Sequence, residues 1–324
     1  MKLIRTVVLA AVAAASAQVA VAQTKWDFPS GYSANSFQTQ LLQEFADNVA
    51  KETGGKLTLT VHPGGSLYPA NQIKRAVQTG QVQIGEFILS GASNENPLYG
   101  VDSIPFLATS YPQAKKLWTA SQPALEKLLA SQGMKLLYVS PWPGQSLYSI
   151  KPINSPADIR GTKMRTYNPA TNRIAQLLGA QPATIQLAEL GQALATGAVD
   201  DFLTSSASGI ESKLYEQVKY FYPVNAWLPK NAIVVNKKAF DALDKATQDI
   251  LVKAAQAEGE KAWTVSQQHD DEYIKGLAAH GMKISEPSPE LKKALDKIGD
   301  TMTNQWLRTA GEDGKKIIDA YKKM

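Results

Sequence analysis

The sequence predicts an α/β protein of two lobes that are joined by crossover strands and braced by one long helix. Strand-like and helix-like segments alternate through residues 25–88, and extended segments at 140–146 and 229–236 flank a compact unit. Residues 238–280 keep a helical spacing of apolar residues without a proline. The length of 324 residues, 44% hydrophobic and 19% charged, suits a globular chain of two modest domains.

The first lobe begins with repeated strand and helix patterns. Residues 25–28 read as a strand, and apolar residues from Phe37 to Val49 then recur at helical spacing until Gly54-Gly55. A second strand at 56–62, a helix from Pro69 to Thr79 and a third strand at 82–88 follow. This alternation predicts a mostly parallel sheet.

The chain is expected to cross between the lobes twice. Helical patterns at 111–118 and 122–131 lead to a strand at 134–139 and then to a proline-rich bend at 140–146. A second crossing is expected where residues 232–236 return the chain to the first half. We therefore predict that 23–140 plus 232–324 form lobe I and that 141–231 form lobe II.

Long helices are predicted for the last third of the chain. Residues 238–280 are expected to form one helix that ends at Gly281 and braces both lobes. Pro287 and Pro289 separate it from a helix at 290–309 and a short terminal helix at 317–321. We assign both C-terminal helices to lobe I.

Residues 1–22 have the features of a cleavable signal peptide. Lys2 and Arg5 precede a short apolar run, and Ala20-Val21-Ala22 fits a small-residue cleavage site. The alternative, a membrane anchor, is disfavoured because the apolar run is shorter than the roughly 20 residues of a membrane span. We expect export to the periplasm; without cysteine the chain has no disulfide framework.

The charges argue against nucleic acid as a partner. Without residues 1–22 the chain has 32 basic and 29 acidic residues, and the two signs are interspersed. Nucleic-acid binding proteins instead concentrate basic residues in a patch.

Arg165 is the first candidate for a ligand contact. It lies near the end of a strand predicted at 162–166, and Pro169 fits the first turn of the following helix. The edge of an α/β sheet where strands end is a common place for ligands, and an arginine fork holds a carboxylate by two hydrogen bonds. The alternative is a surface arginine in a loop salt bridge.

The motif around Arg165 resembles that of TRAP-type periplasmic solute-binding proteins, the DctP-like family. It reads Lys151-Pro152-Ile153, then Asp158, then Gly161-Thr162-Lys163-Met164-Arg165. The resemblance implies a periplasmic-binding-protein-like fold, a small organic acid held by Arg165, TRAP membrane permease subunits as partners, and no cofactor. It implies a contact from Asn168 as well. We expect a monomer rather than a dimer.

A second stretch of the resemblance places a polar contact at Thr204 or Ser205. Gly197-Ala198-Val199-Asp200 matches the family pattern, but Leu203-Thr204-Ser205 stands where sialic-acid binders commonly have Glu-Asn-Pro. In the first crossing, Gln145 stands near the position of a second arginine in those relatives. The predicted site therefore has one cation fewer than the site of those relatives. This difference favours a monocarboxylate as the ligand, including an aromatic, 2-oxo or 2-hydroxy acid.

Four further residues complete the predicted site. Trp142 lies in the first crossing, and Ser30, Tyr32 and Phe87 follow or end strands of the first lobe. If the aromatic side chains face the cleft, they favour a ligand with a planar or apolar part. The alternative for Trp142 and Phe87 is that they belong to the hydrophobic core.

An enzyme is the alternative class of protein. Asp200-Asp201 offers paired carboxylates to a periplasmic hydrolase or another enzyme of organic-acid metabolism, although a turn with local backbone hydrogen bonds explains the pair better. The three histidines have no metal-ligand spacing, and cysteine nucleophiles are excluded. We therefore expect a binding protein without catalytic residues or a metal site.

Overall fold

The computed structural model describes residues 23–324, and the predicted signal peptide at 1–22 lies outside them. Within the described residues the strands are, in chain order, β1 (Thr24–Pro29), β2 (Leu57–His62), β3 (Ile84–Ile88), β4 (Met134–Pro141), β5 (Ser146–Ser149), β6 (Lys163–Thr166), β7 (Gln181–Thr184), β8 (Asp201–Thr204), β9 (Tyr220–Tyr222), β10 (Lys230–Asn236) and β11 (Lys283–Ile284).

The α-helices of residues 23–324 are, in chain order, α1 (Phe37–Glu52), α2 (Ala70–Thr79), α3 (Tyr111–Ser131), α4 (Pro169–Leu178), α5 (Leu187–Ala195), α6 (Ser206–Glu211), α7 (Lys237–Asp241), α8 (Lys245–Ala279) and α9 (Pro289–Lys323). The last is interrupted at Gly311, whose φ of 58° is not helical, so its two parts match the two predicted C-terminal helices. No helix among residues 23–324 has the length and apolarity that a membrane crossing needs.

The first lobe contains two small sheets. β1 and β2 pair in parallel, as the alternating pattern predicts. β3 departs from the prediction, because it pairs antiparallel with β10 in a sheet of order β3-β10-β4. The returning strand β10 has an uninterrupted run of buried residues, and it takes the central position between β3 and β4.

The second lobe is built on a six-stranded sheet of order β11-β9-β5-β8-β6-β7. β6 runs parallel to both of its neighbours, β7 and β8, so the carboxyl ends of these three strands lie at one edge. That edge holds the end of β6, where Arg165 lies. Two-lobed α/β architecture is thus confirmed.

The predicted boundary of lobe I needs a correction after α8. β11 joins the sheet of the second lobe, although residues 232–324 were all assigned to lobe I. Four apolar residues of α9 then pack into the core of the second lobe beside Met164; they are Leu291, Leu295, Ile298 and Met302. Their spacing of three or four residues forms one stripe, and burial of that stripe draws this part of the chain to the second lobe. Ile317 beyond the break packs in the first lobe.

The long helix is shorter than the predicted 238–280 because Asp244 starts a new helix. Asp244 Oδ1 accepts a hydrogen bond from the Thr247 backbone N–H at 3.0 Å, which caps α8 and separates it from α7. α8 has 35 residues and is therefore about 52 Å long.

α8 packs against α1 and β4 of the first lobe and against α6 of the second. Two glycines lie at close contacts. A Cβ added to Gly259 would lie 3.0 Å from Tyr138 Cβ in the first lobe, and one added to Gly276 would lie 3.0 Å from Ile210 Cδ1 in the second. The helix thus braces both lobes.

Candidate ligand-binding site

A cleft of about 300 Å³ lies between the lobes. Its walls include side chains from both lobes and from the first crossing. Six of the nine predicted site residues line it: Tyr32, Phe87, Trp142, Gln145, Arg165 and Thr204. The ends of β3, β6 and β8 meet at this cleft, as expected from the position of Arg165.

Arg165 places a buried cation in the second-lobe wall. Its side chain is only 3% exposed, and its Nε donates to the carbonyl of Ile185 at 2.9 Å. The guanidinium carbon lies 4.8 Å from the centre of the Tyr167 ring. Among residues 23–324 no carboxylate forms an ion pair with it.

Burial lowers the pKa of Arg165 to about 10, and Tyr167 and Tyr32 act in the opposite direction. The guanidinium therefore remains cationic at neutral pH. A buried charge without a partner is unfavourable, so this side chain favours the entry of an anion.

Tyr167 and Gln145 support the arginine. The Tyr167 hydroxyl donates to Gln145 Oε1 at 3.2 Å, and Gln145 Nε2 donates to the carbonyl of Pro143 at 3.2 Å. Both side chains line the cleft. Tyr167, which sequence reasoning missed, therefore fixes the face of the guanidinium that the ligand cannot approach.

The first-lobe wall is a hydrogen-bonded network around Glu86 and Asn231. Glu86 Oε2 accepts from Ser30 Oγ at 2.5 Å, and Oε1 accepts from Asn231 Nδ2 at 2.7 Å. Asn231 Oδ1 in turn accepts from the Tyr32 hydroxyl at 3.2 Å and from Trp142 Nε1 at 3.1 Å. Burial raises the pKa of Glu86 to about 7, against the lowering effect of its two hydrogen bonds.

Sequence reasoning missed Glu86 and Asn231. A signal was present in β3, where Glu86 is the charged member of Ile84-Gly85-Glu86-Phe87-Ile88, an otherwise apolar strand. A charged residue inside such a strand needs a polar partner, and Asn231 on the neighbouring β10 supplies it.

The aromatic side chains belong both to the cleft and to the core. The rings of Tyr32 and Trp142 are 4.9 Å apart, and Phe37 packs edge-on against Trp142 at 5.3 Å. Phe87 packs similarly against Tyr99, with 6.3 Å between ring centres. Trp142 and Phe87 each belong to a core cluster and also line the cleft, so the two predicted alternatives are compatible.

Three predicted site residues do not line the cleft. Ser30 donates a hydrogen bond to Glu86, and Ser205 Oγ caps α6 by accepting from the Ser208 backbone N–H at 3.1 Å. Asn168 Oδ1 caps α4 by accepting from the Thr171 backbone N–H at 2.8 Å. The pattern Asn168-Pro169 is a helix-start signal, and it accounts for this asparagine better than a ligand contact does.

Asn168 also connects the lobes. Its Nδ2 donates to Ser90 Oγ at 2.8 Å, and Ser90 follows β3 in the first lobe. Both residues are buried. One asparagine therefore starts a helix and joins the two lobes beside the cleft.

The Asp200-Asp201 pair has structural roles. Asp200 Oδ2 accepts from the Lys163 backbone N–H at 2.8 Å, while Asp201 is buried at the start of β8. Burial raises the pKa of Asp201. Neither lines the cleft, so the two carboxylates are not placed to act together on a ligand there.

Two lobes that enclose a cleft with a buried, unpaired arginine form the arrangement of a receptor for a small anion. The chain belongs to the DctP family, described as bacterial extracellular solute-binding protein, family 7, whose model matches residues 28–309. The resemblance noted from the Arg165 motif is confirmed. The enzyme alternative is wrong, because the family and its relatives are solute receptors. Members of the family bind small organic acids and work with membrane permease subunits.

Three solved structures are closely similar. DctP6, a Bordetella pertussis extracytoplasmic solute receptor binding pyroglutamic acid, is 49% identical, with 93% of this chain and 100% of that chain covered and a TM-score of 0.91. A marine metagenome TRAP solute binding protein specific for pyroglutamate is 44% identical, with 94% and 100% covered and a TM-score of 0.92. DctP7 of Bordetella pertussis, also binding pyroglutamic acid, is 38% identical, with 92% of this chain and 99% of that chain covered and a TM-score of 0.91.

Proposed function

We propose that this protein is a periplasmic receptor for pyroglutamate, the cyclic lactam of glutamate, and that it delivers this monocarboxylate to a TRAP permease. The observation that carries the proposal is the buried guanidinium of Arg165, which faces the cleft without an acidic partner among residues 23–324. The other cationic side chain of the cleft wall, Lys74, already pairs with Glu95 at 2.5 Å. One available cation suits one carboxylate.

The remaining walls suit a compact ring. Tyr32, Trp142 and Phe87 offer flat apolar surface, while Glu86 and Thr204 offer polar atoms. A lactam ring has an apolar edge, one N–H donor and one carbonyl acceptor, so it matches a wall of mixed character. The pyroglutamate named for the three relatives supports the same ligand.

A 2-oxo or 2-hydroxy acid with an apolar tail is the second candidate. The aromatic pair Tyr32 and Trp142 favours it, because rings of this kind stabilise apolar ligand parts. Such an acid lacks an N–H group, and it would leave Glu86 facing the cleft without a donor from the ligand. We therefore place it after pyroglutamate.

Calorimetry and thermal unfolding test the proposal. The chain without residues 1–22 is unfolded in guanidinium chloride to remove any bound ligand, refolded, and titrated with pyroglutamate, proline, glutamate, succinate and 2-oxo acids. Pyroglutamate is expected to bind most tightly and to raise the melting temperature, since at about 100 times Kd a ligand stabilises the folded state by about 2.7 kcal/mol. Tighter binding of succinate, or no response to pyroglutamate at millimolar concentration, would contradict the proposal.

The contact between Asn168 and Ser90 gives a prediction about closure of the lobes. Ser90→Ala removes the bridge but leaves the helix cap, and it should weaken pyroglutamate binding about two- to tenfold because one hydrogen bond contributes about 0.5–1.5 kcal/mol. Asn168→Ala removes both the bridge to Ser90 and the helix cap, so it should also lower the free energy of unfolding by about 0.5–2 kcal/mol. Equal affinity of Ser90→Ala and wild type would show that the bridge does not support the bound arrangement.

A further inference from the structure

Glu86 is a buried carboxylate in the wall of an anion-binding cleft. It is 1% exposed, it lines the cleft, and among residues 23–324 no cationic side chain forms an ion pair with it. Its position opposes the charge that the cleft attracts. A carboxylate at this position weakens the positive electrostatic potential that Arg165 creates in the cleft. Such a position is explained if Glu86 makes a specific contact with the ligand.

The network around Glu86 leaves acceptor capacity for a ligand. Each carboxylate oxygen can accept two hydrogen bonds, and Ser30 and Asn231 each occupy one site on a different oxygen. Asn231 cannot turn its amide over, because its Oδ1 already accepts from Tyr32 and Trp142. The network therefore holds both carboxylate oxygens in place.

Two tyrosines whose pKa is raised in part by Glu86 are neutral at the pH of binding. They are Tyr32 after β1 and Tyr138 on β4, and burial raises the pKa of each hydroxyl above its usual value. Asn231 on β10 is uncharged. The cation of the cleft that lies in the same lobe as Glu86, Lys74, pairs with Glu95, whereas the unpaired cation, Arg165, lies in the other lobe. The two walls therefore differ in chemistry: Arg165 provides donors and Glu86 provides acceptors.

We propose that Glu86 accepts a hydrogen bond from the N–H group of the ligand and thereby makes the receptor selective for an N–H-bearing cyclic carboxylate over its oxygen and carbon isosteres. The inference rests on the proposed function, because it assigns the lactam N–H of pyroglutamate to a named acceptor. The carboxylate of the ligand goes to Arg165 on the opposite wall. A site with a buried acceptor for a ligand N–H group binds an analogue without that group more weakly, because the acceptor then has no hydrogen-bond partner.

The first test uses wild-type protein and needs no variant. Binding at pH 8 is measured by calorimetry for pyroglutamate, for the lactone 5-oxotetrahydrofuran-2-carboxylate and for 3-oxocyclopentane-1-carboxylate. These two analogues replace the N–H group by oxygen and by CH₂. We expect both to bind at least about 100-fold more weakly than pyroglutamate.

The second test uses Glu86→Gln, which keeps the shape of the side chain and removes its charge. It should weaken pyroglutamate binding at least about tenfold, because hydrogen bonds to charged groups are the stronger ones. Lactone binding should stay the same or become tighter, because the variant no longer has an unpaired carboxylate facing the lactone. Glu258→Gln is the matched control. Glu258 is also buried, burial likewise raises its pKa to about 7, and it does not line the cleft, so its variant should keep the wild-type ratio of affinities.

The pH dependence distinguishes an acceptor from a donor. An ionised Glu86 accepts the ligand N–H, so the affinity for pyroglutamate should fall as the pH drops from 8 to 5.5, and this slope should vanish in Glu86→Gln. Affinity that rises as the pH drops would mean that a protonated Glu86 donates instead, and it would overturn the inference.

The remaining outcomes separate the two proposals. Tight binding of pyroglutamate by wild type, with equal binding of the lactone or with equal affinity in Glu86→Gln, overturns the role of Glu86 and leaves the proposed function standing. Wild-type protein that does not bind pyroglutamate overturns both. If Glu86→Gln does not fold, as judged by circular dichroism, the analogue and pH measurements on wild type decide.

Discussion

Arg165→Ala is expected to weaken pyroglutamate binding by about 2–5 kcal/mol, which is roughly 30-fold to several thousand-fold. The loss is large because the ligand carboxylate would enter a buried cleft without its charge partner. Calorimetry at constant salt measures it directly. Folding should be unharmed, since removal of a buried, unpaired cation removes an unfavourable charge.

Two further variants, Arg165→Lys and Arg173→Ala, test whether the loss of affinity is specific to the guanidinium of Arg165. Lysine keeps the charge but not the planar fork, and it lacks the guanidinium whose carbon lies 4.8 Å from the centre of the Tyr167 ring, so it should restore only part of the affinity. Arg173 lies on α4, donates to Gln305 at 3.2 Å and does not line the cleft, so Arg173→Ala should bind normally. An Arg165→Ala affinity within threefold of wild type would place the carboxylate site elsewhere.

Asp102→Ala should cause the largest loss of stability, about 3–5 kcal/mol. Asp102 Oδ2 accepts from the Lys230 backbone N–H at 2.8 Å and lies 3.8 Å from Lys230 Nζ. The side chains of both residues are almost fully buried, at 4% and 1% exposed. The substitution leaves the Lys230 ammonium, which otherwise donates only to the carbonyl of Leu228 within residues 23–324, without a counter-charge at the start of β10.

Urea unfolding of three variants measures this effect. Asp102→Ala combined with Lys230→Met should be less destabilised than Asp102→Ala alone, because the unpaired charge is removed. Asp249→Ala breaks an ion pair whose side chains are 80% and 61% exposed, and it should change the free energy of unfolding by less than about 1 kcal/mol. An Asp102→Ala loss as small as that of Asp249→Ala would mean that Lys230 finds water or another partner.

Local patterns predicted the surroundings of Arg165 correctly. The end of β6, the proline at the first turn of α4 and the glycine after it are set by neighbouring residues, and they need no information from the rest of the chain. The same holds for the two C-terminal helices. Such features follow from periodicity and capping, which act over a few residues.

Long-range pairings were the part that sequence could not supply. β3 pairs with β10, and Glu86 therefore meets Asn231 across 145 positions of the chain. No local pattern gives the partner of a strand or the lobe on which the stripe of α9 is buried. Glu86 and Asn231 were missed for this reason, whereas Arg165, whose strand end and following helix lie in one continuous segment, was found.

The two close contacts of α8 restrict how the lobes can move. Gly259 and Gly276 are 17 residues apart, which corresponds to about 26 Å along the helix. An α-helix resists stretching because its length is fixed by its hydrogen bonds, so these two contact points behave as pivots on a rigid link. We therefore expect the lobes to rotate about these two contact points rather than slide apart at the back of the cleft. On that expectation, the rotation of each lobe against the helix would set how wide the mouth of the cleft opens.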